Sequence, residues 1–415
     1  MEPIRYQAGE LYMEGVPVSR IAEQFGTPTY LYSRQAIESA YHRFANAFSG
    51  RPAMVCYAVK ANSNLAVLDL LARLGAGFDI VSGGELERVL AVGAPAARIV
   101  FSGVGKQTHE IARALEAGIA CFNLESASEL EHINRIAGEC QKVAPISIRV
   151  NPNVDARTHP YISTGLKENK FGVPVTGARA LYRTAAKMDH VEVAGIDCHI
   201  GSQITSLAPF LDAIEAILEL VDELTRDGHN LRHIDLGGGI GVRYRDEPLV
   251  DINEYAGAVI QAMGRRPQEL WFEPGRYIVA NAGLLVARVI TIKDNEGKHF
   301  AVIDAAMNDL IRPALYGAWQ DVTPVVQRAG ESVVYDVVGP VCETGDFLAK
   351  SRPLCIAEDD LVAIHDAGAY GFVMSSNYNS RGRAAEVIVS GDEIQCVRAR
   401  ETIEDQLRLE QKFKL

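Results

Sequence analysis

No stretch of the 415-residue chain approaches the roughly 20 uncharged apolar residues that span a bilayer, so a helical membrane span is excluded. The start, Met1-Glu2-Pro3-Ile4-Arg5, has no basic segment followed by an apolar one; no secretion signal is expected, and a cytoplasmic location is. Seven cysteines, an odd number at irregular spacing with no Cys-x-x-Cys, exclude a disulfide framework or a zinc site and fit reduced thiols. Excess positive charge is also missing. The formal net charge of −12 argues against nucleic acid or an anionic membrane as partner, while local arginines can still hold a small anion. There is no internal repeat and no low-complexity tract.

What the chain has is rhythm. Its length exceeds one ordinary core and predicts two domains. Short apolar runs at 53–59, 77–81, 98–102, 120–123, 145–150, 193–200, 231–236 and 270–273 alternate with amphipathic stretches at 65–74, 85–92, 109–117, 127–137 and 209–227. Alternation of this kind implies parallel strands with right-handed crossovers, and eight units suit an α/β fold of the closed (β/α)8 type. An open doubly wound sheet is the competing arrangement. After residue 280 the pattern turns to mainly antiparallel β, with turns at Asp294-Asn295-Glu296-Gly297 and Ser390-Gly391-Asp392. The expected division is a barrel over 34–280 and a β-barrel or sandwich-like domain from 1–33 with 281–415, the run 29–32 joining the latter. The connection 151–171, with Thr158, His159, Gly165 and Lys170, has no periodicity and reads as a lid or an irregular excursion.

Polar residues collect where each barrel strand ends: Lys60, Asp79 with Ser82, Ser102, Asn123 with Glu125, Arg149 with Asn151, His199 with Ser202, Gly237-Gly238-Gly239, and Glu273 with Arg276. Barrel enzymes keep their active sites at that end. Lys60 closes the apolar run Met54-Val-Cys-Tyr-Ala-Val. An amine desolvated there is expected to lose its proton readily and to condense with a carbonyl, unless it simply snorkels to solvent.

The run Gly237-Gly-Gly-Ile-Gly241 fails the dinucleotide fingerprint, because Val242 stands where the last glycine belongs, and no Gly-Lys-Ser/Thr follows to make a P-loop. It is either a tight turn or an amide cradle for phosphate, with Gly275 and Arg276 close in sequence to the neighbouring strand end. Glu273 can pair with a protonated ring nitrogen or with Arg149. His199 can stack on such a ring or be a satisfied core residue. No ligand spacing supports a metal.

Seven motifs occur in series: Tyr57-Ala-Val-Lys60-Ala-Asn62, Phe78-Asp79-x-x-Ser82-x-Gly84-Glu85, His199-Ile-Gly-Ser202-Gln203, Gly237-Gly-Gly239, Glu273-Pro-Gly-Arg276, Cys342-Glu343-Thr-Gly-Asp346 and Gly368-Ala-Tyr370-Gly. In this the chain resembles the fold-type III, pyridoxal 5'-phosphate-dependent basic amino acid decarboxylases over about residues 12–389. The resemblance implies that Lys60 holds the cofactor covalently, with His199 on the ring, Glu273 at its nitrogen and Asp79 beside the linkage. It places Ser202, Gly239, Gly275, Arg276 and Tyr370 around the phosphate, and Arg276, Arg312, Tyr316, Glu343 and Tyr370 at the substrate. Cys342 would protonate the carbanion from the opposite subunit of a homodimer, and is expected to be part-buried. An arginine pair suits a distal carboxylate, so the expected substrate is meso-diaminopimelate, decarboxylated to L-lysine. A decarboxylase of another basic or D-amino acid, a racemase of the same barrel, and a non-catalytic cofactor carrier are the rivals; Glu273 speaks against the racemase and Cys342-Glu343 against the carrier.

Overall fold

The computed structural model describes residues 2–155, 164 and 169–413. Of the expected lid, Thr158, His159 and Gly165 lie outside the described residues, whereas Lys170 lies within them, its Nζ 5.3 Å from the Phe171 ring centre. The chain divides into two compact units, one made of residues 40–243 and 247–278, the other of residues 1–39, 244–246 and 279–415.

The first unit is a closed barrel. Its strands are β1 (Ala53–Ala58), β2 (Gly77–Ile80), β3 (Ile99–Phe101), β4 (Cys121–Leu124), β5 (Ala144–Asn151), β6 (Val191–Asp197), β7 (His233–Asp235) and β8 (Glu269–Phe272). All pair in parallel, and β8 pairs with β1 while β4 pairs with β5, so the sheet has no edge and the open-sheet alternative falls. Helices α1 (Leu65–Arg73), α2 (Gly83–Ala91), α3 (Thr108–Ala117), α4 (Ala127–Glu139), α5 (Val175–Ala185), α6 (Ala208–Arg226) and α7 (Ile252–Met263) make the crossovers. Each buries an apolar stripe; α6 does so with Phe210, Ile214, Ile217, Val221 and Leu224 at helical spacing. Local signals set their starts: the side chains of Asn64, Ser82, Ser126 and Asp251 cap α1, α2, α4 and α7. Ser82, which reads as a rim residue in the sequence, is thus a helix cap.

Alternation along the strands sorts the barrel interior into layers. Met54, Cys56, Val100, Cys121, Ala194 and Trp271 form an apolar floor. His233 lies flat on Trp271, with ring centres 3.5 Å apart and planes 6° apart, and Gly195 leaves the space that a Cβ there would take from the imidazole. Two residues further along, the inward positions turn polar: Asp79, Ser102, Asn123, Asp197, Asp235 and Glu273 are all buried.

In the second unit, strand Thr29–Ser33 lies between Gly283–Asn295, antiparallel, and Ala385–Ser390, parallel. The run 29–32 therefore joins this sheet, as its apolar pattern suggests. Gly283–Asn295 and Lys298–Ile303 form the expected hairpin; its tip places Glu296 at φ 52° and Gly297 at φ 87°. The sheet is mainly antiparallel, with a second parallel pairing between Lys298–Ile303 and Val333–Val338. Its core gathers Leu11, Met13, Val16, Leu31, Leu284, Val286, Val387 and Val389.

Candidate active site

Lys60 sits in a single 3-10 turn, Val59–Ala61, immediately after β1. Three features hold that turn. The Tyr57 hydroxyl donates to the Asn62 carbonyl at 3.0 Å, and the Asn62 side chain accepts the Asn64 N–H at 3.1 Å. Gly275 packs so closely that a Cβ there would lie 2.9 Å from Ala61 Cβ and 3.0 Å from Ala58 Cβ. The lysine is not the desolvated amine expected from sequence. Its side chain is 36% exposed, and Nζ stands 2.6 Å from Oδ2 of Asp79, which is fully buried on β2. The reason is geometric: the 3-10 turn lifts Lys60 out of the strand, and the adjacent strand supplies an ionic partner.

Glu273 follows β8 directly. Ser102 Oγ and Asn123 Nδ2, from the ends of β3 and β4, each lie 3.3 Å from its Oε1. The expected alternative partner, Arg149, goes elsewhere: Nη1 pairs with Glu125 Oε1 at 3.0 Å, and Nη2 donates to the His199 carbonyl at 3.4 Å. Glu125 also accepts the Gly172 N–H at 2.6 Å. Glu273 is left among acids. One of its carboxylate oxygens, one of Asp197 and one of Asp235 all lie within 4.8 Å of one another, the one such trio among the described residues. Burial, and then the neighbouring carboxylates, push the Glu273 carboxyl well above its ordinary range, and the same causes raise Asp197. A cation placed beside Glu273 would favour its ionised form.

His199 is oriented by the glycine turn. The Gly238 N–H donates to its Nδ1 at 3.1 Å, which leaves the ring proton on Nε2. Burial, then Arg149 and Lys60, hold its pKa well below the usual histidine value, so the imidazole is neutral. The turn itself has no room for side chains: a Cβ on Gly238 would collide with the Glu273 carbonyl, and Gly239, at φ 109°, passes against the Gly201 carbonyl. Gly237 and Gly238 spend their N–H groups on Asp235 and His199. Beside the turn, Arg276 Nη2, on a buried side chain, reaches Ser202 Oγ at 3.2 Å.

The remaining candidates belong to the other unit. Arg312 and Tyr316 open and close the short helix Arg312–Tyr316, with the Arg312 guanidinium 4.5 Å from the Tyr244 ring centre. Cys342 is exposed rather than part-buried. Its turn is stapled from within by Asp346, which accepts the Val341 N–H at 2.7 Å and the Met307 N–H at 2.6 Å, while Asn379 Oδ1 accepts the Cys342 N–H at 3.2 Å. These bonds hold the backbone and leave the thiol and the exposed Glu343 at the surface. Tyr370 holds a left-handed φ of 54°.

Sequence reasoning missed Asp197 and Asp235, the last residues of β6 and β7. They stand in the same inward phase as Glu273, and extending the strand-end rule to aspartates inside apolar runs finds them.

The profile of the family "Pyridoxal-dependent decarboxylase, pyridoxal binding domain" matches residues 34–280. The chain is 60% identical over 405 residues to a diaminopimelate decarboxylase of Pseudomonas aeruginosa, covering 98% of each chain. It is 55% identical over 412 residues to one of Haemophilus influenzae, covering 99% of each. Among solved structures, diaminopimelate decarboxylase from Helicobacter pylori complexed with L-lysine superposes with a TM-score of 0.92 at 43% identity, over 94% of this chain and 98% of that one.

Proposed function

The chain belongs to the pyridoxal-dependent decarboxylases, and we propose that within this family it removes CO2 from the D-centre of meso-2,6-diaminopimelate to leave L-lysine. It is a carboxy-lyase of lysine biosynthesis with pyridoxal 5'-phosphate as cofactor. The observation that carries the reading is the ion pair of Lys60 with buried Asp79 on the same rim as the acid-surrounded Glu273.

The residues present fit the cofactor: an amine held at the rim by Asp79, a cluster of buried acids, a turn closed to any Cβ, and an arginine paired with a serine. The bound group supplies an electron sink for the carbanion left by CO2. Lys60 would hold the cofactor covalently through its aldehyde, with Asp79 orienting the amine. Glu273 would pair with the ring nitrogen, aided by Ser102 and Asn123. His199, neutral, offers a ring face without adding charge. Ser202, Gly239, Gly275, Arg276 and Tyr370 hold the phosphate end. At the distal end of the substrate, Arg276, Arg312, Tyr316 and Tyr370 take the carboxylate and Glu343 the ammonium.

Cys342 donates the proton that replaces CO2. Its exposure in the single chain supports a homodimer in which the partner subunit covers it. The cofactor-binding part is taken as 34–280, with 1–33 and 281–415 supplying substrate and interface residues. No helix among the described residues is long and apolar enough to cross a membrane. The net charge of −12 and the biosynthetic role support a cytoplasmic enzyme with neither membrane nor nucleic acid as partner. The test is a substrate panel. Equal release of CO2 and L-lysine from meso-diaminopimelate is expected; turnover of D-lysine, ornithine or arginine with none on diaminopimelate would defeat the reading.

A further inference from the structure

The acid cluster contains more than the reaction above uses. Asp197 and Asp235 are buried to 1% and 0% exposure, and neither has been given a task. Three carboxylates, each with one oxygen within 4.8 Å of one on the other two, away from water, cannot all carry charge. Asp197 receives electrostatic relief from Arg149. Asp235 is served differently. Its Oδ1 accepts the Gly237 N–H at 2.8 Å, and its Oδ2 is buried with no donor among the described residues. One of its carboxyl oxygens lies within 4.8 Å of one of Glu273, both groups being buried. Two buried carboxyl groups this close escape mutual repulsion when one of them keeps a proton.

We propose that Asp235 is a positioning residue that holds one proton in common with Glu273, tying the glycine turn to the carboxylate that meets the cofactor ring. The proposal rests on the cofactor reading above and deepens it. With a ring cation beside Glu273, the proton stays on Asp235 and Glu273 carries the charge; without one, the two share it. No proton is gained or lost in that shift. The charged groups around the pair are Asp79 on β2, Lys60 after β1, Asp197 on β6 and Arg149 on β5. Cys56 and Cys121, on β1 and β4, also face the acids, but burial keeps both thiols protonated. His199, also facing the turn, is neutral.

Burial raises the Asp235 carboxyl to about 7, against the downward pull of the Gly237 N–H. A folded-state value above the unfolded one gives stability that is full at low pH and is lost as pH rises toward about 7. Asp235→Asn keeps an oxygen for the Gly237 N–H and offers Glu273 a fixed N–H donor, so it imitates the protonated state. The experiment is the thermal midpoint of the full chain, stripped of cofactor and loaded with it, between about pH 5 and about pH 8. The stripped wild type is expected to lose on the order of 5 °C across that range, and Asp235→Asn to lose less than about half as much. Pyridoxal phosphate should bind the variant within about threefold of wild type, because the turn is intact. Equal slopes in wild type and variant would overturn the proposal, as would flattening by Asp197→Asn in place of Asp235→Asn. Infrared spectra keep it testable should the variant not fold: the wild type at neutral pH must show a protonated buried carboxyl band, and its absence is contradictory. Failure of the substrate panel would sink the cofactor reading and leave this slope untouched, so the two fail separately.

Discussion

Along the last barrel strand, Trp271 faces the axis low in the interior and Glu273 faces it two residues higher. The lower residue stacks on His233 within an apolar floor, and the upper one meets Ser102, Asn123 and two further acids. The same step recurs from His233 to Asp235, from Gly195 to Asp197, from Cys121 to Asn123 and from Gly77 to Asp79, each upper residue being buried. The floor follows the ordinary rule that apolar groups fill an interior. The rim breaks it, with buried acids gathered around Glu273. Local rules that fail together at one end of a well-formed barrel mark the site of function.

If this division is right, substitutions in the two layers fail in different ways. Trp271→Ala should cost about 3–5 kcal/mol of stability through the cavity it opens, while the folded fraction keeps its kcat/KM; denaturant titration beside kinetics shows whether it does. Glu273→Gln should fold, and should lower kcat by roughly 10²-fold or more because the charge that favours the electron-poor ring is gone. A variant with unchanged kcat would erase the distinction between the layers.

Acid and base should sharpen the contrast. In the floor, burial and then Arg232 lower the His233 pKa to about 3, so its stabilisation is complete above the unfolded value and is lost as pH falls toward about 3. In the rim the Glu273 carboxyl is raised, so its contribution runs the other way and is lost as pH rises. Melting curves of cofactor-free protein should therefore show losses at both ends, and His233→Asn should flatten the acid arm alone. The smallest effect is expected of Ser102→Ala, which removes one donor to Glu273: about 1 kcal/mol, read as a kcat reduced by less than about 10-fold.

Much of this was legible in the sequence. The eight apolar runs correspond to the eight strands, because each strand of a closed parallel sheet is buried on both faces and reads as continuous apolar residues. Helix α5 buries Ala178, Leu181, Tyr182 and Ala185, a stripe half of which is alanine, and neither it nor α7 stood out. Lys60, Asp79, His199 and Glu273 were legible because strand ends are short and their polar residues conspicuous. Asp197 and Asp235 were hidden inside runs that seemed to continue to residues 200 and 236, and their meeting with Glu273 depends on strand register that no spacing reveals. Arg149 illustrates the same limit: its partner is Glu125, from the preceding strand end, and not Glu273. The exposure of Cys342 follows from a turn held by Asp346 and Asn379, whose side-chain bonds no linear pattern encodes.

Reduction of the cofactor-loaded protein with borohydride, followed by peptide mapping, tests the central claim most directly. The account predicts one pyridoxyl-modified peptide, carrying the tag on Lys60, and none in Lys60→Ala. A tag on another lysine, or no tag at all, would contradict it.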